Sequence, residues 1–155
     1  MKNLTIILFL TFTFLANLAN AAIIENIKIE NNNRISKETI ITYGNIELNK
    51  NYNQDEINKV LKNLYGTDFF ENVKISINDN TLIIYVVENK IVQNVLVEGI
   101  KSKTLSKQIL ENIYSKNKAP FLLYKVKLDN KKIKTSLDMM GYYFSTVESQ
   151  IKENS

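Results

Sequence analysis

At 155 residues the chain has room for one domain or two small ones, and its 45% hydrophobic and 23% charged residues are ordinary globular usage. It has no Cys and no His, which excludes thiol nucleophiles, Ser/His/Asp triads and the usual zinc and haem ligand sets. The net charge of +4 comes from scattered lysines and is too mild to indicate nucleic acid as a partner. The carboxylates have no paired spacing and there is no phosphate loop, so no catalytic residue, cofactor or metal is expected.

The first 21 residues read as a secretory signal. Lys2 is the positive start, residues 4–15 are apolar apart from threonines, and Ala19-Asn20-Ala21 is a small-x-small cleavage pattern. The apolar run is about a dozen residues, short of the ~20 that span a bilayer, so cleavage between Ala21 and Ala22 is expected over an uncleaved anchor. The mature chain would then lie outside the cytoplasm.

From Asn26 the pattern alternates, with Ile27 and Ile29 on one face of a half-buried strand, and Asn31-Asn32-Asn33 stops it. Ser36 is an N-cap with Ile35 and Ile40 placed as a hydrophobic staple, which predicts a helix from residue 37 to about 43. Asn53 and Glu56 form the next capping signature. Ile57, Val60, Leu61 and Leu64 follow at i, i+3, i+4, i+7, the clearest helical stripe in the chain. Gly66 to Asp68 turns the chain, and Phe69 and Phe70 are expected to plug the core. Val73, Ile75 and Ile77 alternate with Lys74 and Ser76 as a strand, and Asn78-Asp79-Asn80 is hairpin chemistry. Residues 81–88 are almost continuously apolar, which predicts a central strand covered on more than one side. The order is β-α-α-β-β.

A second copy begins near Lys90. Asn94, Val95, Val97 and Glu98 match Asn26, Ile27, Ile29 and Glu30, which predicts another strand over residues 91–98. Leu105-Ser106-Lys107 echoes Ile35-Ser36-Lys37, which places the next helix cap at Ser106. Val126, Ile133, Leu137 and Met140 are helically spaced. Lys125, Lys127, Lys131, Lys132 and Lys134 lie mostly off that stripe, and a solvated lysine face is the reading preferred over an anionic-lipid contact. Gly141-Tyr142-Tyr143 repeats the hinge after Leu64 and is expected to launch a strand through Val147. No counterpart of residues 81–88 follows, so the sequence is expected to be a piece of a longer protein or a short paralogue.

These motifs resemble the POTRA (polypeptide-transport-associated) family of outer-membrane β-barrel assembly factors. The carriers are Val95 to Gly99 with its Asn-ended copy Ile27 to Asn31, the Leu-Tyr-x-Thr-x-Phe-Phe-x-x-Val junction from Leu64 to Val73, and the Gly-Tyr-Tyr junction at Gly141. The family usually has Gly where Asp68 stands and at the first turn, where this chain has Asn31. The resemblance implies an α+β fold of tandem POTRA modules at 22–89 and 90–155. Each would be a three-stranded mixed sheet covered by two helices, the second lacking its last strand.

In that family the modules lie in the periplasm ahead of a membrane β-barrel, none of which is present here. They receive unfolded outer-membrane proteins and dock accessory assembly lipoproteins. The expected site is a sheet edge, the strand of Val73, Lys74, Ile75, Ser76 and Ile77, where an extended peptide could add by β-augmentation. Lys74 would equally serve as a charge against aggregation at that edge. A proline at Ser76 is expected to weaken peptide capture without unfolding the module. A two-partner-secretion transporter and a membrane-anchored division protein also carry such modules and stay open; an enzyme has no nucleophile–base pair in its favour.

Overall fold

The computed structural model describes residues 22–153; the expected signal segment, Ala21 included, lies outside the described residues. The chain divides into two compact units. The first runs to Thr67 and resumes over Asn72–Val87; the second takes Asp68–Glu71 and everything from Glu88 onward.

Up to residue 88, β1 (Ala22–Ile24) and β2 (Asn26–Glu30) are followed by α1 (Lys37–Gly44), β3 (Lys50–Tyr52), α2 (Gln54–Tyr65) and the hairpin strands β4 (Phe70–Asn78) and β5 (Thr81–Glu88). Strand order in the main sheet is β2-β5-β4. β2 and β5 run parallel, with Ile27 opposite Leu82 and Ile29 opposite Ile84. Only the two residues Asp79 and Asn80 separate β4 from β5, so those strands reverse and pair antiparallel, and the sheet is mixed. Both turn residues are left-handed (φ 42° and 60°), the backbone of a type I′ hairpin.

β5 is central in the sheet, as its apolar run predicts. Its second face differs from expectation. Leu82, Ile84 and Val86 are wholly buried, whereas Ile83 and Val87 are half-buried and Tyr85 is exposed. Cover is complete on the face of Leu82, Ile84 and Val86 and partial on the other.

The helix starts obey the capping chemistry. Ser36 Oγ accepts from Thr39 N at 3.2 Å, and Asn53 Oδ1 accepts from Glu56 N at 3.0 Å. The capping box is half-made, since the Glu56 carboxylate pairs with Lys59 (2.8 Å) and Lys50 (2.9 Å) instead. The Lys59 and Lys50 bonds hold the Glu56 carboxyl below the usual carboxylate range. A carboxylate lowered in this way contributes stability above its unfolded pKa, and that contribution fades as pH falls through the lowered value. Replacing Asn53 by Ala should cost about 1 kcal/mol, read as a fall in the urea midpoint; a midpoint unchanged within error would show that the cap is idle.

Along α2, Val60 and Leu64 are buried and Ile57 and Leu61 half-buried, the stripe read from the sequence. Gly44 ends α1 where a Cβ would stand 2.8 Å from Ile46 Cδ1, so the close approach there requires glycine or a displaced Ile46. Periodicity gives no sign of the ribbon of β1 with β3, in which Ile24 pairs with Lys50 and Ala22 with Tyr52. It buries Ile24 and Tyr52, and the tyrosine hydroxyl accepts from Glu47 N at 2.9 Å.

The second unit holds α3 (Lys103–Asn112) and α4 (Leu123–Met139). Its start repeats the first unit's ribbon in reduced form: Ile91 bridges Pro120, as Ile23 pairs with Asn51. Asn31 (φ 62°) and Gly99 (φ 81°) take the same left-handed turn at equivalent places in the two copies.

Three expectations need correction here. The strand over residues 91–98 forms no ladder beyond Ile91, and Leu96 is 78% exposed. Its counterpart β2 pairs with β5, and no strand among the described residues of this unit takes that part. The helix cap is Ser102, whose Oγ accepts from Leu105 N at 3.3 Å; Ser106 lies inside α3 with its hydroxyl bonded back to Ser102 O at 3.1 Å. The earlier serine wins because it adds a full turn of helix, and a mid-helix serine satisfies itself by back-bonding. After Gly141 (φ 89°), Tyr142, Tyr143 and Phe144 are exposed and Val147 lies in irregular chain, so the hinge recurs without a strand.

Candidate functional site: the outer edge of the hairpin

The residues 61–73 set up this edge. α2 ends at Tyr65, and Thr67 Oγ1 donates to Leu64 O at 2.6 Å to tighten the last turn. The left-handed residue is Asp68 (φ 61°), while Gly66 stays right-handed (φ −63°), so the turn uses Asp at the position the family gives to Gly. Phe70 is buried, Phe69 half-buried, and their rings meet edge to face at 6.3 Å.

β4 then runs with β5 as its one neighbour among the described strands. Burial along it breaks phase: Phe70 and Val73, three apart, are both buried, and Ile75 and Ile77 then alternate with exposed Lys74 and Ser76. The hydrogen bonds agree. Asn78 faces Thr81 across the turn, yet Asn89 N donates to Phe69 O at 2.8 Å. That is nine steps along β4 against eight along β5, so β4 carries one extra residue, a β-bulge, between Phe69 and Val73.

Below the bulge the pleat fixes which groups point where. Pairing of Asn78 with Thr81 directs the main-chain groups of Ser76 and Lys74 into the ladder and those of Val73, Ile75 and Ile77 away from it. Val73 confirms the phase, because its N–H donates to the Tyr65 hydroxyl at 3.0 Å. That hydroxyl also lies 3.5 Å from Asn72 Oδ1. The head of the edge is therefore capped by Tyr65, and the outward main chain left to receive another strand is that of Ile75 and Ile77. All five candidate residues fall on this edge. The bulge and the part played by Tyr65 were not visible in sequence; the odd three-residue spacing of Phe70 and Val73 was the one available signal.

The opposite edge, β2, is five residues long and carries the exposed Lys28–Glu30 ion pair (2.8 Å). Among the described residues no group of His, Cys, Asp and Glu could hold a metal ion, and no helix is long and apolar enough to cross a membrane.

A mixed sheet of this order with two helices on one face defines a class, and residues 22–89 match the family model for POTRA, described as surface antigen variable number repeat. This part of the chain is similar to POTRA domains. The curated relatives are outer membrane protein assembly factors: the chain is similar to BamA of Neorickettsia risticii (strain Illinois), 30% identical over 100 residues that cover 64% of this chain and 13% of the relative. It is also similar to BamA of Neisseria meningitidis serogroup B, 27% identical over 78 residues, 50% of this chain and 10% of the relative. The chain thus matches about an eighth or less of each relative's length. Among solved structures, the N-terminal domain of Omp85 from Thermosynechococcus elongatus shares the fold at TM-score 0.57 and 15% identity, covering 83% of this chain and 56% of that one. POTRA1-2 of Omp85 from Anabaena does so at TM-score 0.53 and 12% identity, covering 88% and 90%.

Proposed function

We propose that this chain is the periplasmic part of an outer-membrane protein assembly and insertion factor, a binding module and not an enzyme. Residues 1–21 are its signal peptide, cleaved between Ala21 and Ala22; residues 22–89 and 90–155 are successive POTRA domains. The first domain receives unfolded β-barrel clients by adding an extended client segment to β4, and accessory lipoproteins dock on its other surfaces. The similarity to BamA supports the setting at the outer membrane.

The observation that carries the mechanism is the position of β4 at the sheet edge with Ile75 and Ile77 directing main-chain groups outward. Main-chain bonding is indifferent to client sequence, which suits a receiver of many clients. Lys74 and Ser76 keep the edge polar on its open face and disfavour pairing between two copies.

The pairing phase also moves the informative substitution. Ser76 N–H points into the ladder, so a proline there would remove a bond to β5 and weaken the sheet itself. Ile77 N–H points outward, where strand proline is tolerated. A photo-crosslinking residue at Ser76 should capture unfolded outer-membrane proteins, and Ile77→Pro should cut that yield about 3- to 10-fold through loss of one or two main-chain bonds. Full crosslinking by a folded Ile77→Pro chain would remove β4 from the mechanism.

A further inference from the structure

The five lysines of α4 do not share one fate. Lys125 Nζ donates to Asp68 Oδ2 at 2.7 Å, a bond that raises its pKa above the usual lysine value. Lys132 donates to Asn112 O at 2.6 Å and sits 4.8 Å over the Tyr114 ring. Lys134 pairs with Asp138. Lys127 and Lys131, four residues apart, form no ion pair among the described residues. Like charges at that spacing repel and cost the helix stability.

Three acids of α3 and α4 are already committed. Asp129 accepts from two main-chain N–H groups, Asp138 holds Lys134, and Glu111 on α3 lies 3.8 Å from Lys107. Residues 88–153 contain twelve lysines and seven carboxylates, whereas residues 22–87 contain seven basic and nine acidic residues. The excess charge of the chain is therefore in this part.

The two free lysines share their face with exposed apolar groups. Tyr124, Lys127, Leu128 and Lys131 stand at i, i+3, i+4, i+7, opposite the stripe of Val126, Asp129, Ile133 and Leu137 that faces inward. Tyr124 is 53% and Leu128 46% exposed. A solvated lysine face, the reading preferred from sequence, does not account for a tyrosine and a leucine held out beside the two cations. Lysine beside tyrosine and leucine on one helical face suits a bilayer surface: the ammonium groups meet phosphate while the ring and the leucine enter the headgroup layer.

We propose that the outer face of α4, through Tyr124, Lys127, Leu128 and Lys131, docks on the surface of a bilayer containing anionic phospholipid. The contact is separate from the β4 edge and does not depend on client binding.

The test uses the mature chain from Ala22, which has no Trp, carrying Tyr124→Trp as a reporter of this face alone. Titration with phosphatidylglycerol-containing vesicles should shift the Trp emission to the blue and quench it with lipid-depth quenchers, and added salt should weaken the response. Vesicles of phosphatidylcholine should give little shift. Lys127→Gln with Lys131→Gln in the same background should weaken the response to anionic vesicles about 30-fold, while Lys107→Gln, which removes a paired lysine, should leave it close to unchanged. The proposal is overturned if anionic vesicles leave the emission unmoved, if both vesicle types act alike, or if the double variant responds as the parent does. It is also overturned if an acidic polypeptide, and not the vesicles, moves the emission.

Discussion

Replacing Leu64 by Ala should lower the stability of the first unit by about 2–5 kcal/mol, the range for truncating a fully buried leucine. Leu64 is wholly buried in the last turn of α2, on the stripe it shares with Val60. Its carbonyl also holds the turn after the helix, accepting from Thr67 Oγ1. A unit of this size has little stability in reserve, because a small domain buries a low fraction of its surface. Far-UV circular dichroism in urea should show the midpoint falling by about 0.7 M or more, given a slope of about 1–3 kcal/mol per M. Tyr65 next to it is 43% exposed, so Tyr65→Phe should move the midpoint far less while freeing the Val73 N–H. Equal effects at the two positions would contradict the assignment of Leu64 to the core.

The second large effect belongs to Asp129. It is a buried carboxylate on the inward face of α4, and it accepts from Tyr114 N at 2.5 Å and Ser115 N at 2.9 Å. These are the two amides that follow Ile113, the residue capping the end of α3, so one side chain ties the end of one helix to the middle of the next. Asp129→Ala leaves both amides without that acceptor and should cost about 3 kcal/mol, from two charge-assisted bonds of roughly 1.5–3 kcal/mol each with partial recovery by water. Asp129→Asn keeps one acceptor oxygen and turns the other into a donor facing an N–H, so it should recover about half. Amide exchange gives the local reading: protection at Tyr114 and Ser115 should collapse in the alanine variant before protection in the first unit changes. Unchanged exchange at both amides would show that the carboxylate anchors nothing.

What could be read from the sequence follows from what each element rests on. α2 was legible because four apolar residues repeat at helical spacing behind an Asn cap, and both signals are local. The hairpin was legible because two Asn/Asp residues between β-branched runs leave the backbone few choices. The centrality of β5 followed from its apolar run, yet the open second face did not, since a run of branched residues does not say which side the helices take. β1 and β3, three residues each, are too short to show a period, and only the buried Tyr52 reveals them. The strand over residues 91–98 was read from side chains that match β2, but a strand exists through its neighbour, and the neighbour is a fact of tertiary structure. Asp129 looks in the sequence like one acid among lysines; its role depends on two amides fourteen and fifteen residues earlier. The edge position of β4 was legible and its detail was not, because the bulge and the Tyr65 cap decide which amides remain open.

Hydrogen exchange at single amides of β4, with and without an extended peptide taken from an outer-membrane β-strand, tests the central claim most directly. Peptide should slow exchange at Ile75 and Ile77. It should leave Ser76, already in the ladder, and Val73, already bonded to Tyr65, little changed. Protection that instead builds along β2, or no change at Ile75 and Ile77 under saturating peptide, would contradict reception of clients at the β4 edge.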